Sequence, residues 1–105
     1  MAQPSTTKEE HMSLQAVTYV YGGSAEALAE HRPAHRQFLN DLREAGTLRA
    51  AGPYDDHEAP GALLLIQAES PEAALAALDP DPLLIEQVIT ERSARPWKIT
   101  VGSLD

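Results

Sequence analysis

The feature that most limits how this chain can fold is a run of consecutive apolar residues near its centre: Leu63, Leu64, Leu65 and Ile66. In a β-strand, successive side chains point to opposite faces of the sheet, so a strand with one exposed face alternates between apolar and polar residues. A strand that is apolar at successive positions needs cover on both faces. The run therefore predicts a central strand over residues 62–68.

The segments around this strand predict further strands and two helical regions. Strands are expected over three stretches that are bounded by glycine, proline or polar turns: residues 14–21, 47–54 and 90–101. Pro96 suggests that the last of these lies at a sheet edge. A helix capped by Ser70, with Pro71 at its first position, is expected to lead into residues 73–78, and one or two more turns are expected over residues 83–88.

The first long helix is predicted over residues 32–46 and carries a histidine in an unusual place. At helical spacing, the residues that should face the core are His35, Phe38, Leu39 and Leu42. Pro33 suits the first turn, where its missing N–H costs nothing, after a short helical lead-in over residues 24–30. Gly46 suits the position just past a helix end. An imidazole that faces the core needs a polar partner or a function.

The order of these elements predicts the fold class. The sequence β-α-β-β-α-β is that of the ferredoxin-like fold, an α+β arrangement with a four-stranded antiparallel sheet and helices on one face. Two helices cover only one face of such a sheet, whereas the central strand requires cover on both. We therefore expect a homodimer in which a second copy packs its sheet face to face with the first.

The charge and composition exclude several classes of function. The formal net charge is −8, with eight Lys and Arg against sixteen Asp and Glu, which disfavours binding to nucleic acid or to anionic membranes. The chain has no cysteine, so zinc-finger and iron–sulfur sites are excluded. No apolar run approaches the ~20 residues of a membrane span. We expect a soluble cytoplasmic protein.

The first residues differ in composition from the rest of the chain. Residues 1–12 are small and polar and show no periodicity, which predicts a disordered extension or an expression remnant. A single folded domain is accordingly expected over residues 13–105.

Short motifs spread along residues 14–101 resemble those of the YciI-like family, the YCII-related domains of the dimeric α/β-barrel superfamily. They lie in order along the chain: Arg32-Pro33-Ala34-His35, Gly46-Thr47-Leu48, Ala51-Gly52-Pro53, Gly61, Glu69-Ser70-Pro71-Glu72-Ala73-Ala74, Asp81-Pro82 and Arg95-Pro96-Trp97. The resemblance implies a dimeric α/β barrel. One position departs from the family pattern, because members usually carry an aromatic residue after the Asp-Pro pair and this chain has Leu83.

The resemblance also implies an acid–base dyad. In this family, a histidine on the first helix and the aspartate of an Asp-Pro pair are proposed to act together in a small pocket, and these roles fall on His35 and Asp81. Histidine titrates near neutrality, and a neighbouring carboxylate orients it and stabilises its protonated form. The residues alone leave alternatives open. His35 also fits a core histidine, Asp81 also fits a helix N-cap, and Asp79, which likewise precedes a proline, rivals Asp81 as the partner.

Four further residues are candidates for contact with a substrate: Arg32, Tyr19, Gly52 and Pro53. The guanidinium of Arg32 offers a planar fork to a carboxylate or phenolate, and fits a surface salt bridge equally well. Gly52 and Pro53 leave room for a ligand at the end of a strand, or form a structural turn. Tyr19, like Tyr21 and Tyr54, offers a phenolic donor to a cavity, or packs within the sheet.

Two groups of residues have metal-ligand chemistry, and neither is assigned a metal. His31 and His35 are four positions apart, the spacing at which two histidines of one helix hold a metal. Because Pro33 predicts a helix start near residue 32, His31 is expected to precede the helix. The acidic stretch over residues 55–58 is expected to be a solvated loop without fixed geometry.

Together, the residues and the resemblance predict a small cofactor-free enzyme in which a His-Asp dyad transfers a proton on an oxygenated or aromatic small molecule. The reaction would be of lyase, isomerase or dehydrochlorinase type, since relatives in the superfamily include muconolactone isomerase and dehydrochlorinases acting on chlorinated hydroxyquinols. The alternative is a non-catalytic module with the same dimeric fold that binds a small ligand or a partner. A quinone-forming monooxygenase of the same superfamily is a third interpretation.

Overall fold

The computed structural model describes residues 12–56 and 58–104, which form four strands and three helices. In chain order the elements are β1 (Ser13–Tyr21), α1 (Ala25–Glu44), β2 (Leu48–Pro53), β3 (Gly61–Ala68), α2 (Pro71–Ala77), α3 (Pro82–Ile85) and β4 (Ile89–Trp97). The predicted N-terminal extension over residues 1–12 lies, apart from Met12, outside the described residues. The order of strands and helices is the predicted one.

The four strands form one antiparallel sheet in the order β2-β3-β1-β4. β3 is central, as predicted, because its Leu64 pairs with Val17 of β1 on one side and with Ala51 of β2 on the other. β4 lies at an edge, which suits Pro96 because proline cannot donate to a neighbouring strand. With its helices packed on one face, the sheet has the predicted ferredoxin-like arrangement.

The core lies between the helices and one face of the sheet. In β1, the buried residues Gln15, Val17 and Tyr19 alternate with more exposed neighbours, as expected for a strand with one face against a core. The buried apolar cluster draws on every strand and on the two short helices: Val17, Tyr19, Leu48, Ala62, Leu64, Ile66, Ala68, Ala74, Leu78, Leu83, Val88 and Ile89. Burial of each larger side chain contributes about 1.5–3 kcal/mol, so this cluster is the main source of stability.

α1 is an amphipathic helix that begins at a conventional cap. The hydroxyl of Ser24 accepts a hydrogen bond of 3.0 Å from the N–H of Ala27. Further along, His35 is buried, and the apolar residues of its stripe, Phe38, Leu39 and Leu42, are partly buried against the core. The predicted inward face is therefore confirmed. Among the described residues, no helix is long and apolar enough to cross a membrane.

The predicted start of α1 is wrong, because the helix runs without a break from residue 25 and Pro33 lies inside it. An interior proline removes one hydrogen bond and presses on the carbonyl four residues earlier, here that of Ala29, at a cost of about 3 kcal/mol. Ala29 and Pro33 are both exposed, so water can reach the carbonyl that lacks a donor. The cap at Ser24 and the packing on both sides of Pro33 outweigh the local signal for a helix start.

The first helix ends as predicted, whereas the last helix is shorter than predicted. Gly46 follows α1 with φ +86, the left-handed conformation that favours glycine, as predicted. The last helix, predicted over residues 83–88, is shorter and spans Pro82–Ile85. Gln87 is also left-handed, with φ 64, and this conformation turns the chain out of α3 and toward β4.

β4 is shorter than predicted and ends at Trp97. Its pairing partner β1 begins at Ser13, and Leu14 is already opposite Trp97. Ile99 and Val101 therefore lie beyond the last position at which β1 can pair, so the expectation that they continue the strand is wrong. Strand length is set here by the neighbour rather than by the apolar alternation.

The second face of the sheet carries no helix within the described part of the chain. The registers of β1, β3 and β4 place three large apolar residues on this face: Val20, Leu63 and Trp97. They are 38%, 38% and 45% exposed. A single copy of the chain thus leaves an apolar surface open on the side opposite the helices.

Candidate active site

His35 and Asp81 are far apart in the sequence and in direct contact in the fold. His35 lies on the inward side of α1, and Asp81 is fully buried immediately before α3. The Nδ1 atom of His35 lies 2.8 Å from Oδ1 and 2.9 Å from Oδ2 of Asp81. An ionised carboxylate only accepts hydrogen bonds, so Nδ1 carries a proton in this contact. The other ring nitrogen, Nε2, then keeps its lone pair when the imidazole is neutral.

Asp81 is held in place by the helix that it caps. Its Oδ1 accepts a hydrogen bond of 2.9 Å from the N–H of Leu83, and Pro82 occupies the first helical position, where no N–H is needed. The N-cap that the sequence offered as an alternative role is therefore present together with the contact to His35. One carboxylate has enough acceptor sites for both. α3 thus fixes the carboxylate independently of any ligand.

A tyrosine completes the surroundings of this carboxylate. The hydroxyl of Tyr19, in β1, donates a hydrogen bond of 3.0 Å to Oδ2 of Asp81. Burial raises the pKa of Tyr19 far above its ordinary value of 10.0, and the negative charge of Asp81 raises it further. Tyr19 therefore keeps its proton and acts as a donor. Three donors, on β1, α1 and α3, converge on one buried carboxylate.

Asp79, the rival partner, does not contact His35. Its Oδ1 lies 3.0 Å from Nη2 of Arg92, and its side chain is largely exposed. Nη1 of the same arginine donates a hydrogen bond of 3.1 Å to the carbonyl oxygen of Leu75, near the end of α2. Asp79 thus belongs to a contact between the end of α2 and β4, and the geometry selects Asp81 as the neighbour of His35.

A cavity of about 130 Å³ adjoins the histidine, between α1 and the ends of β2 and β3. It is lined by Tyr21, Arg32, His35, Arg36, Leu39, Ala51, Gly52, Pro53, Ala62 and Leu64. Of the six residues that were predicted to form the site, four line this cavity: His35, Arg32, Gly52 and Pro53. The other two, Asp81 and Tyr19, are outside the lining, and the hydroxyl of Tyr19 binds Asp81. Since Asp81 engages Nδ1, Nε2 is the nitrogen of His35 left for a ligand in the cavity.

The polar part of the cavity is cationic and rich in donors. Arg32 and Arg36 are one turn apart on α1, and both line the cavity beside Tyr21. Burial raises the pKa of Tyr21, the charge of Asp81 raises it further, and the charge of Arg32 acts in the opposite direction. Tyr21 is therefore a protonated donor near neutral pH. An oxyanion of a small molecule would find guanidinium and phenol groups together in this cavity.

Two features of the site were not predicted from the sequence: Arg36 lines the cavity, and Tyr19 binds Asp81. The signal for Arg36 was available, because it lies four positions after Arg32 and shares its flank of a helix. The Tyr19 contact had no local signal, since it depends on how β1 lies beneath α3. A side chain at Gly52 would meet nothing within 4 Å, so packing within the chain does not itself require glycine there.

Of the two groups that offered metal-ligand chemistry, one includes His35 of this site, whereas the acidic loop is not among the residues that line its cavity. His31 lies on α1 rather than before it, and its Nε2 is 3.9 Å from Oε1 of Glu86. Across the described residues, no group of three or more His, Cys, Asp or Glu side chains is arranged to hold a metal ion. In the acidic loop, Asp56 accepts a hydrogen bond from the N–H of Glu58, and His57 lies outside the described residues.

Similarity to known families agrees with this fold. The family model of the YCII-related domain matches residues 7–98. The chain belongs to this family. No curated protein shows significant similarity to the sequence.

Two solved structures resemble this YCII-related domain. One is the 5-chloro-2-hydroxyhydroquinone dehydrochlorinase of Burkholderia phenoliruptrix, in complex with 2,5-dihydroxybenzoquinone, with a TM-score of 0.67 and 22% identity over 81% of this chain and 93% of the enzyme. The other is a dimeric ferredoxin-like protein of unknown function from Thermobifida fusca, with a TM-score of 0.49 and 15% identity over 84% and 92% of the two chains. At this level of identity, the first likeness supports the shared fold.

The position after the Asp-Pro pair has a structural role in this YCII-related domain. Leu83 is fully buried in the core cluster, and its backbone N–H binds Asp81. It is not among the residues that line the cavity. Leu83 therefore contributes to packing behind Asp81 rather than to the cavity wall itself.

Proposed function

We propose that this YCII-related domain is a cofactor-free enzyme in which His35 transfers a proton on an oxygenated or aromatic small molecule. The observation that carries the proposal is that the Nδ1 atom of His35 binds a buried carboxylate while the same ring lines a cavity. A base oriented in this way needs no rearrangement before it accepts a proton. The reaction class is that of a lyase, isomerase or dehydrochlorinase.

The proton balance follows from the two ring nitrogens. Nε2 of His35 removes a proton from a carbon or oxygen of the substrate, and the imidazolium that forms keeps its Nδ1 proton on Asp81. In an isomerisation, Nε2 returns the proton to another atom of the same molecule. In an elimination, the electron pair of the broken bond expels a leaving group such as chloride, and the proton later passes to water. Asp81 stabilises the imidazolium without itself taking up the proton.

Arg32 and Tyr21 are proposed to bind the oxygen atoms of the substrate. Charge that develops on a phenolate or enolate oxygen is stabilised by donors already in place, and both side chains line the cavity. Gly52 and Pro53 form part of the opposite wall. The likeness to a dehydrochlorinase bound to a small quinone supports a ring of similar size, within a cavity of about 130 Å³.

We further propose that the functional unit is a homodimer. The face of the sheet opposite the helices presents Val20, Leu63 and Trp97 to solvent. Exposed apolar surface of this kind often marks a protein–protein interface. Packing the same face of a second copy against it would cover both sides of β3, as its apolar run requires.

The alternative is a module that binds a small ligand without turnover. This alternative is favoured by the hydrogen bonds that Asp81 accepts from Tyr19 and from the backbone of α3, which it caps. Because Asp81 stabilises the fold through these contacts, its pairing with His35 also has a stabilising role. A cytoplasmic location is part of either proposal.

A proton-transfer assay separates these functions. The wild-type protein is incubated in deuterium oxide with a panel of hydroxylated and chlorinated aromatic compounds that includes 5-chloro-2-hydroxyhydroquinone, and deuterium incorporation and chloride release are measured. Oxygen uptake in the same vessels reports a quinone-forming oxidation instead. The proposal expects turnover that falls by about 10²–10⁴-fold in His35→Asn. Tyr54→Phe, at an exposed tyrosine outside the cavity lining, is the matched control.

Equal turnover of a compound by wild type and His35→Asn would contradict the catalytic role. Binding of panel compounds without any turnover would favour the ligand-binding module.

A further inference from the structure

A second groove continues the cavity along α1. It has a volume of about 420 Å³ and is lined by Arg36, Leu39, Asn40, Arg43, Leu48, Arg49, Ala50 and Ala51. Three of these residues, Arg36, Leu39 and Ala51, also line the cavity beside His35. The two spaces therefore share a wall, and a ligand longer than the cavity can extend into the groove between α1 and the edge strand β2.

The charge along this path is opposite to that of the chain. The sequence holds sixteen Asp and Glu but eight Lys and Arg, and four of those eight line the cavity or the groove: Arg32, Arg36, Arg43 and Arg49. No Asp or Glu is among the residues that line either space. Half of the cations of an acidic protein are thus gathered along one path that no Asp or Glu side chain lines, and this arrangement favours an anionic ligand.

The spacing of the arginines sets a length scale. With a rise of 1.5 Å per residue, Arg36 follows Arg32 by about 6 Å along the helix axis, and Arg43 follows Arg36 by about 10 Å. Within the described residues, Arg36 and Arg43 form no hydrogen bond or ion pair with a protein group. Arg49, on β2, also lines the groove and donates a hydrogen bond of 3.2 Å to Gln67. One anionic group near His35 and a second near Arg43 would both meet guanidinium donors.

We infer that the ligand of this protein is an elongated dianion, with its reacting end in the cavity beside His35 and a second carboxylate or phosphate in the groove beside Arg43. The inference rests on the proposed function for the position of the reacting end, and it adds the class of substrate. It predicts that acids with anionic groups at both ends bind better than otherwise equal acids with one.

Two probes that differ in one group test the second site. Binding of biphenyl with carboxylates at both para positions is compared, by isothermal titration calorimetry, with binding of the monocarboxylate. The wild-type protein is expected to bind the dicarboxylate about tenfold more tightly, because the second carboxylate gains a charge-assisted hydrogen bond. A third probe with a phosphate ester in place of the second carboxylate identifies which of the two anions the groove favours.

Two variants that each remove one positive charge test whether Arg43 causes the preference for the second anion. Arg43→Gln should remove the preference for the second anion and leave binding of the monocarboxylate unchanged. Lys98→Gln removes the same charge from an exposed residue outside both lining sets and should retain the preference. Together these results would support the inference.

Equal affinity of wild type for the mono- and dianionic probes would overturn it, as would a preference that Arg43→Gln retains. Failure of every probe to bind would also overturn it. None of these outcomes decides proton transfer, which the His35→Asn assay measures separately, so the two proposals can fail independently.

Discussion

The hydroxyl of Tyr19 lies 3.0 Å from Oδ2 of Asp81 and donates a hydrogen bond to it across 62 positions of sequence. Asp81 is fully buried, and its other contacts are the N–H of Leu83 and the ring of His35. The tyrosine thus joins β1 to the aspartate that caps α3 and contacts α1. Because water cannot replace a missing donor at this depth, the hydroxyl affects both the stability of the fold and the orientation of the histidine.

Replacement of Tyr19 by Phe should destabilise the protein. The change leaves one lone pair of a buried carboxylate without its donor, and we expect the free energy of unfolding to fall by about 1–3 kcal/mol. Urea denaturation followed by circular dichroism measures this difference. Tyr54→Phe removes the same atom from an exposed side chain and should change stability by less than about 0.5 kcal/mol. Similar losses in the two variants would mean that the buried hydrogen bond contributes nothing specific.

The same tyrosine should make stability sensitive to alkaline pH. Burial raises the pKa of Tyr19 in the folded protein above the ordinary value of 10.0. The contribution of the neutral phenol is therefore fully present below about pH 10 and is lost as the pH rises toward the folded pKa, because the unfolded chain gives up its proton first. We expect the stability difference between wild type and Tyr19→Phe to be constant up to about pH 10 and to shrink between about pH 10 and about pH 11. A constant difference in urea denaturation across this range would contradict the prediction.

Replacement of Asp81 by Asn should change the tautomer of His35. The carboxylate accepts from Nδ1, so the neutral ring is expected to carry its proton there and to leave Nε2 unprotonated. An amide can donate as well as accept, and the preference should weaken. Long-range ¹H–¹⁵N correlation spectra of the imidazole report the tautomer directly. For any substrate found, kcat should fall by about 10²-fold or more. An unchanged tautomer together with unchanged kcat would exclude the dyad.

Much of this fold follows from signals that are local in the sequence. The apolar run of β3, the cap at Ser70 and the glycine after α1 each depend on neighbouring residues, and each predicted its element. The inward direction of His35 followed from helical period alone. These features could be predicted because their physical causes act within one turn or one strand.

The features that sequence could not supply depend on contacts between distant elements. α1 continues through Pro33 because packing on both sides outweighs the cost of an interior proline. β4 ends where β1 no longer pairs with it. The choice between Asp79 and Asp81 required the position of Arg92, on a strand that follows both. The groove along α1 likewise arises only when β2 packs beside this helix.

Replacement of Pro33 by Ala should stabilise α1. Alanine restores an N–H donor to the carbonyl of Ala29 and removes the steric conflict of an interior proline, which costs about 3 kcal/mol. Part of the gain is offset by the greater freedom of the unfolded chain, so we expect a net gain of about 1–2 kcal/mol. Thermal unfolding measures the change. Pro80→Ala, in the exposed turn between α2 and α3, is the control and should bring no gain, whereas a loss of stability in Pro33→Ala would show that α1 requires the proline.

Replacement of Leu63 by Glu should dissociate the proposed dimer. Leu63 lies on the sheet face opposite the helices, and a second copy packed there would bury the new carboxylate against apolar groups without a partner. We expect the dimer Kd to rise by about 100-fold or more, measured by sedimentation velocity over a range of concentrations. Ile85→Glu introduces the same charge on α3, at a residue that is 62% exposed, and should leave association unchanged. A wild-type protein that sediments as a monomer at all concentrations, or equal association of the two variants, would place the interface elsewhere or exclude it. Unchanged far-ultraviolet circular dichroism in both variants would show that the monomer retains its fold.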